Sequence, residues 1–100
     1  MEVIINELEG KQKVVINGRI DTTNVEQFQK DLAPLMDCAN PDIEMDCSNL
    51  EYTSSQGLRM FLVLQKSVMS RGGKLVLHDM KPQVKEVFDI TGFSNIITIK

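Results

Sequence analysis

The chain has 100 residues, of which 25% are charged and none is tryptophan, and this length predicts one domain, residues 1–100, with a single hydrophobic core. Eleven basic residues against fourteen acidic ones give a net charge of −3. Because no lysine or arginine cluster is present either, we expect neither nucleic acid nor an anionic membrane as a direct partner. The N-terminus lacks the features of a signal peptide and no apolar run approaches the roughly 20 residues of a membrane span, so we expect a cytoplasmic protein.

The first half of the chain predicts two strands, a helix and a third strand. β-branched and apolar runs predict the strands over residues 3–5, 13–16 and 43–46, with a turn at residues 9–11 joining the first two. Between them, apolar residues recur at helical spacing, and Thr23 with Glu26 has the spacing of a capping box at the helix start. Pro34 lies inside this helical pattern and predicts a kink or an early end.

The next stretch, residues 46–58, concentrates polar side chains before a long apolar segment that predicts a second helix. Thr53, Ser54 and Ser55 stand where this helix begins, and their hydroxyl groups can accept hydrogen bonds from its first, unpaired N–H groups. Those N–H groups and the helix dipole also favour an anion, so a phosphate on one of these residues would be well placed. Gly57 removes a side chain where another backbone or a partner could approach closely.

The second half of the chain alternates helices and strands. After the second helix we predict a strand over residues 74–78, a third helix opened by Pro82 and ended by Gly92, and a last strand over residues 96–99. The element order β-β-α-β-α-β-α-β predicts an α/β fold with a mixed β-sheet covered by helices. Met60, Val63 and Leu64 lie outside the main apolar stripe of the second helix, which leaves two interpretations: a docking surface beside the serines, or a face covered by the third helix.

Catalytic and metal-binding patterns are weak in this sequence. His78, the only histidine, has no nucleophile tied to it, and no His/Cys cluster or glycine-rich phosphate loop is present. Cys38 and Cys47 are interpreted as reduced, partly buried thiols. We therefore expect no enzymatic activity, no cofactor and no metal.

Four short segments follow one another in a distinctive order. They are Gly18-Arg19-Ile20-Asp21, then Asp46-x-Ser48-x-Leu50-x-Tyr52-x-Ser54-Ser55-x-Gly57-Leu58, then Gly72-Gly73-x-Leu75, and finally Thr91-Gly92-Phe93. In this order the segments resemble the STAS family, and more narrowly the bacterial anti-sigma-factor antagonists. The resemblance covers the whole chain, including its length and element order, and it implies a single-domain STAS fold.

The resemblance also implies a function. Members of this family bind an anti-sigma factor that is also a serine kinase, and binding frees the sigma factor. Phosphorylation of one serine at the start of the second helix ends the interaction, and a serine phosphatase resets it. The matching serine, two residues before the motif glycine, is Ser55. Because Ser54 stands where the family often has aspartate, and Gln56 where it often has a small residue, Ser54 and Thr53 are rival sites.

The resemblance further suggests which residues contact the partner. Asp21 matches the acidic residue that the family carries at the end of the second strand, and we expect it to contact the partner together with Ser54, Gly57 and Met60. Asp21 could instead be a helix-start acid. The hydroxyl cluster could serve only as a helix cap. For the whole protein, two alternatives remain: a structural STAS subunit of a lipid-transport ABC complex, and a nucleotide-hydrolysing or phosphoryl-transfer domain, for which the chain has no dedicated motif. The oligomeric state is not predicted.

Overall fold

The chain folds around one mixed β-sheet. The computed structural model describes residues 1–37 and 40–100. Its six strands within those residues are β1 Glu2–Leu8, β2 Lys11–Ile20, β3 Asp42–Asp46, β4 Leu50–Thr53, β5 Lys74–His78 and β6 Thr98–Ile99. β1 and β2 form an antiparallel hairpin, and parallel pairing then gives the order β1-β2-β3-β5-β6. β4 pairs in parallel with the C-terminal end of β2. The α/β fold with a mixed sheet is confirmed.

The helices lie on one face of this sheet. They are α1 Val25–Met36, α2 Ser55–Ser70 and α3 Pro82–Ile90, followed by a short 3-10 turn at Phe93–Asn95. Successive strand side chains point to opposite faces, and on β3 and β5 only every second residue is buried. The sheet is therefore covered on one side, and its other side remains accessible. Within the described residues, none of the helices combines the length and the apolar character needed to cross a bilayer.

Three phenylalanine rings join the three helices at the centre of the core. Phe28 of α1, Phe61 of α2 and Phe88 of α3 are each completely buried. The ring centroid of Phe61 lies 5.3 Å from that of Phe28 and 5.5 Å from that of Phe88, in tilted and edge-to-face arrangements. Aromatic pairs of this geometry stabilise a fold by about 0.5–1.5 kcal/mol beyond the burial of their area. Phe61 therefore links α1 to α3 through α2.

Strand β4 was not predicted, because residues 50–53 were interpreted as part of a polar turn. Leu50 and Thr53 are buried whereas Glu51 and Tyr52 are exposed, so the segment shows no two-residue alternation. The register of β2 against β4 shifts between Gly18 and Arg19. A bulge of this kind breaks the alternation that identifies a strand from sequence.

Helix α1 also differs from its prediction. It continues through Pro34 to Met36, and Pro34 is exposed, so the ring faces away from the core. The helix begins after Asn24, and the predicted capping box does not form. Instead the Asn24 side-chain oxygen accepts a hydrogen bond from the backbone N–H of Asp21, at 2.9 Å. The Asn24 side chain thus bonds to the backbone at the end of β2 instead of to the first turn of the helix.

Cys47 is completely buried, and burial raises the pKa of its thiol to about 12. The prediction of a partly buried thiol therefore understated its burial, and a thiol of this kind is unreactive near neutral pH. Cys38 lies outside the described residues.

The central position of Phe61 predicts a large effect of truncation. We expect Phe61→Ala to lower the free energy of unfolding by about 3–5 kcal/mol, since it removes both ring contacts and leaves a cavity. Met69→Ala is the matched control, because Met69 is on the same helix and 61% exposed, and it should change stability by less than about 0.5 kcal/mol. Urea denaturation measures both variants. A loss below about 1 kcal/mol for Phe61→Ala would contradict the assigned role.

Candidate functional site

Two of the three adjacent hydroxyl residues serve the fold itself. Ser54 is the N-cap of α2, and its Oγ accepts a hydrogen bond from the N–H of Gly57 at 3.2 Å. Its backbone N–H donates to the carbonyl of Ile20 at 2.8 Å. The Thr53 hydroxyl donates to the Ser54 carbonyl at 3.2 Å. Thr53 and Ser54 are 4% and 8% exposed, so neither hydroxyl is readily reached from solvent.

Ser55 is placed differently from its two neighbours. It is the first residue of α2 and is exposed, and its hydroxyl has no hydrogen-bond partner among the residues that the structure describes. The backbone N–H groups of Ser55 and Gln56 precede the first intrahelical bond, which runs from Leu58 to Ser54. The first turn of α2 contains no acidic residue. No carboxylate in that turn therefore offsets the positive N-terminal end of the helix dipole, which favours an anion at Ser55.

Gly57 allows the start of α2 to pack tightly against the sheet. A Cβ atom at this position would lie 2.8 Å from Cγ2 of Ile20 and would overlap the hydroxyl of Thr53. The close approach inferred for Gly57 is therefore made by two other residues of its own chain, at the ends of β2 and β4. Its contact with a partner stays a prediction, and Gly57 is buried.

Asp21 lies at the same edge of the sheet as the hydroxyl cluster, because Ile20 pairs with Thr53 across β2 and β4. The Asp21 carboxylate accepts hydrogen bonds from the hydroxyl of Thr23 at 2.5 Å and from its backbone N–H at 2.9 Å. Arg19 Nε is 3.8 Å from the second carboxylate oxygen. The Thr23 hydroxyl hydrogen bond, followed by the Thr23 N–H bond and the Arg19 charge, lowers the pKa of Asp21. Asp21 is therefore ionised near neutral pH.

Arg19 and Tyr52 form an exposed pair beside Asp21 to which the sequence had given no role. The Arg19 guanidinium carbon is 4.8 Å from the centroid of the Tyr52 ring, and Tyr52 is 43% exposed. The two residues meet because they are register partners on β2 and β4. Since β4 was not recognised as a strand, their proximity could not be predicted. Aromatic and arginine side chains are enriched in protein interfaces, which makes this pair a candidate contact.

The sequence left two interpretations, an exposed docking surface or a covered face, for three residues of α2. The structure separates Met60 and Val63 from Leu64. Leu64 is completely buried, whereas Met60 is half-buried and Val63 is 46% exposed. Met60 and Val63 line a groove whose other wall comes from α1, including Met36, and α3 does not line it. Met60 thus lies on an accessible face near the start of α2, as the predicted partner contact requires.

Strand pairing brings together one cluster of possible metal ligands that the sequence did not predict. Among the described residues, Asp46, His78 and Asp79 each offer one ligand atom within 4.8 Å of the others. Parallel pairing of β3 with β5 sets Asp46 opposite His78. The N–H of Ser48 donates to Asp46 at 2.9 Å, and His78 Nδ1 lies 2.7 Å from an Asp79 carboxylate oxygen. The prediction that the protein holds no metal stays a prediction.

Comparisons with known proteins identify the family. The model of the STAS domain matches residues 3–100, and the chain belongs to the STAS domain family. BtrV of Bordetella bronchiseptica, named as a candidate anti-sigma factor antagonist, is 33% identical over 99 residues, covering 99% of this chain and 85% of BtrV. The anti-sigma-B factor antagonist of Bacillus subtilis is 30% identical over 99 residues, covering 99% of this chain and 90% of that protein.

Solved structures show the same fold. The Bacillus anti-sigma factor antagonist SpoIIAA in its unphosphorylated form superposes with a TM-score of 0.81 at 18% identity, over 99% of this chain and 88% of SpoIIAA. Its phosphorylated form superposes with a TM-score of 0.72 at 16% identity, over 99% of this chain and 91% of that structure. The STAS fold implied by the four segments is therefore confirmed.

The different placements of Ser54 and Ser55 predict different effects on stability. We expect Ser54→Ala to lower the free energy of unfolding by about 0.5–2 kcal/mol, because the cap hydrogen bond to Gly57 is lost. Ser55→Ala is the matched control and should stay within about 0.5 kcal/mol of the unsubstituted chain, since its exposed hydroxyl stabilises nothing in the fold. Urea denaturation of the two variants tests this. A greater loss in Ser55→Ala than in Ser54→Ala would contradict the assignment of the cap.

Proposed function

We propose that the chain is an anti-sigma factor antagonist that acts by binding, and that phosphorylation of Ser55 switches the binding off. The observation that carries this proposal is the exposed Ser55 hydroxyl at the first position of α2, next to two hydroxyls that the fold buries. The names of similar relatives support the antagonist role. SpoIIAA, which shares the fold, exists in a phosphorylated and an unphosphorylated form.

Accessibility favours Ser55 over its two rivals as the phosphoacceptor. A kinase must bring the hydroxyl oxygen into line with the transferred phosphoryl group. The Ser55 hydroxyl is exposed, whereas Ser54 and Thr53 are each more than nine-tenths buried and hydrogen-bonded. Phosphorylation of either rival would require the β4–α2 connection to open, and a phosphate on Ser54 would displace the cap.

Electrostatics explain how a phosphate would change binding without unfolding the chain. It adds about −1.5 to −2 charges near pH 7. The unpaired N–H groups of Ser55 and Gln56 and the helix dipole tolerate or stabilise that charge. The ionised Asp21 lies at the same edge of the sheet with Arg19 beside it, so the phosphate adds its charge to a surface that already carries a carboxylate. Like-charge contacts and desolvation at an interface cost several kcal/mol, enough to abolish a micromolar complex.

The proposed cycle has two partners, and the chain itself is not an enzyme. An anti-sigma factor with serine kinase activity binds the unphosphorylated chain and releases its sigma factor. A serine phosphatase removes the phosphate and restores binding. The chain acts in the cytoplasm as one STAS domain over residues 1–100. Asp21 and Met60 contact the anti-sigma factor directly, whereas Ser54 and Gly57 shape the helix start that the anti-sigma factor recognises.

Mass spectrometry with site mapping tests this proposal. The chain is incubated with ATP and with each anti-sigma factor kinase of its own genome, and complex formation is measured before and after. We expect one phosphate on Ser55 and a loss of binding of about a hundredfold or more. Ser55→Ala should bind but remain unphosphorylated. Ser70→Ala, which changes an exposed serine at the other end of α2, should behave like the unsubstituted chain.

Several outcomes would contradict the proposal. Phosphate on Ser54 or Thr53 would overturn the assignment of Ser55, and undiminished binding after complete phosphorylation would overturn the switch. If no anti-sigma factor bound and a lipid-transport permease subunit formed a stable complex instead, the structural-subunit alternative would replace the proposed function.

A further inference from the structure

A continuous groove runs between α1 and α2 from the neighbourhood of Ser55. Its two halves share Glu26, Gln29 and Met60. The half nearer Ser55 is polar and includes Gln56 and Arg59. The farther half is mainly apolar and encloses about 660 Å³, with Met36 and Val63 on opposite walls. We call these two halves together the α1–α2 groove.

The apolar half of the groove lies within reach of any protein that engages Ser55 through an interface of ordinary size. At about 1.5 Å of rise per residue, Met60 and Val63 lie about 8 and about 12 Å along α2 from Ser55. A standard interface covers roughly 800 Å² on each partner, equivalent to a disc of roughly 16 Å radius. A kinase domain centred on Ser55 therefore covers this part of the groove as well.

The groove has the composition of the centre of an interface rather than of a solvated surface. Met36 and Met60 are half-buried and Val63 is 46% exposed, so their apolar atoms meet both the groove and water. Charged groups of both signs, including Glu26, Lys30 and Arg59, surround these side chains. An apolar centre with a polar rim is the usual anatomy of a protein interface, and methionine adapts readily to a partner surface.

We infer that the α1–α2 groove seats an apolar side chain of the same anti-sigma factor kinase that phosphorylates Ser55. This inference rests on the proposed function and adds a second part to its interface. The groove sets how tightly the kinase docks, while the Ser55 hydroxyl receives the phosphate about 8 to 12 Å away along α2. Because phosphorylation leaves the groove unchanged, loss of binding arises at Ser55 alone.

Polar substitution in the groove tests the inference, with a charge at position 63 and a neutral amide at position 60. Val63→Glu and Met60→Gln are compared with Met69→Glu, which introduces a charge at an exposed methionine of the same helix outside the groove. We expect the two groove variants to raise the Kd for the kinase, and the KM for phosphorylation of Ser55, by about tenfold or more. Their kcat should stay within about twofold of the unsubstituted chain, because the hydroxyl and its surroundings are intact. Met69→Glu should match the unsubstituted chain in all three constants.

Controls separate failure of the inference from failure of the proposed function. Urea midpoints confirm that each variant is folded. If the unsubstituted chain is bound and phosphorylated while both groove variants behave like Met69→Glu, the groove inference and the proposed contact of Met60 are overturned, whereas the antagonist role and the switch at Ser55 stand. If Val63→Glu instead disrupts a complex between two copies of this chain and leaves kinase binding unchanged, the groove inference is also overturned. If no anti-sigma factor kinase binds or phosphorylates the unsubstituted chain, the proposed function falls and the inference falls with it.

Discussion

The close packing of the start of α2 against the ends of β2 and β4 is the constraint on which the site depends. Gly57 admits Ile20 and Thr53 at distances that no side chain would allow, and the Ser54 N–H bonds to the Ile20 carbonyl at 2.8 Å. With the helix held there, Ser54 becomes the cap and Ser55 turns outward. The Ser55 hydroxyl is thus exposed because Thr53 and Ser54 are buried by their hydrogen bonds at the start of the helix.

Stability and the proposed switching are separated in space. The helices are held together by the buried rings of Phe28, Phe61 and Phe88, whereas the proposed switch is a hydroxyl on the exposed first turn of α2. A charge added at Ser55 meets unpaired N–H groups and the positive end of a helix dipole rather than the core. In the proposed function, the same charge would face the incoming anti-sigma factor directly. A modification can therefore be harmless to the fold and decisive for binding.

The sequence predicted the architecture and the location of the hydroxyl cluster at the start of α2, but not the contacts that depend on strand pairing and helix orientation. Helical periodicity located the helices, and β-branched and apolar runs located five of the strands. The polar stretch before the second helix located the hydroxyl cluster. β4 was missed because its bulged pairing with β2 removes the alternation that marks a strand. The Arg19–Tyr52 pair, the cluster at Asp46 and His78, and the position of Met60 facing α1 all depend on tertiary pairing that local spacing does not encode.

In the proposed switch, phosphorylation of Ser55 acts on a fixed surface and requires no refolding. Amide NMR spectra of the unphosphorylated chain and of the chain fully phosphorylated on Ser55 test it most directly. We expect shift changes confined to residues 19–24 and 52–60, with β1, β3 and β5 unchanged and their slow hydrogen exchange retained. Widespread shift changes across the sheet, or loss of slow exchange in β3 and β5, would contradict it and indicate a conformational switch.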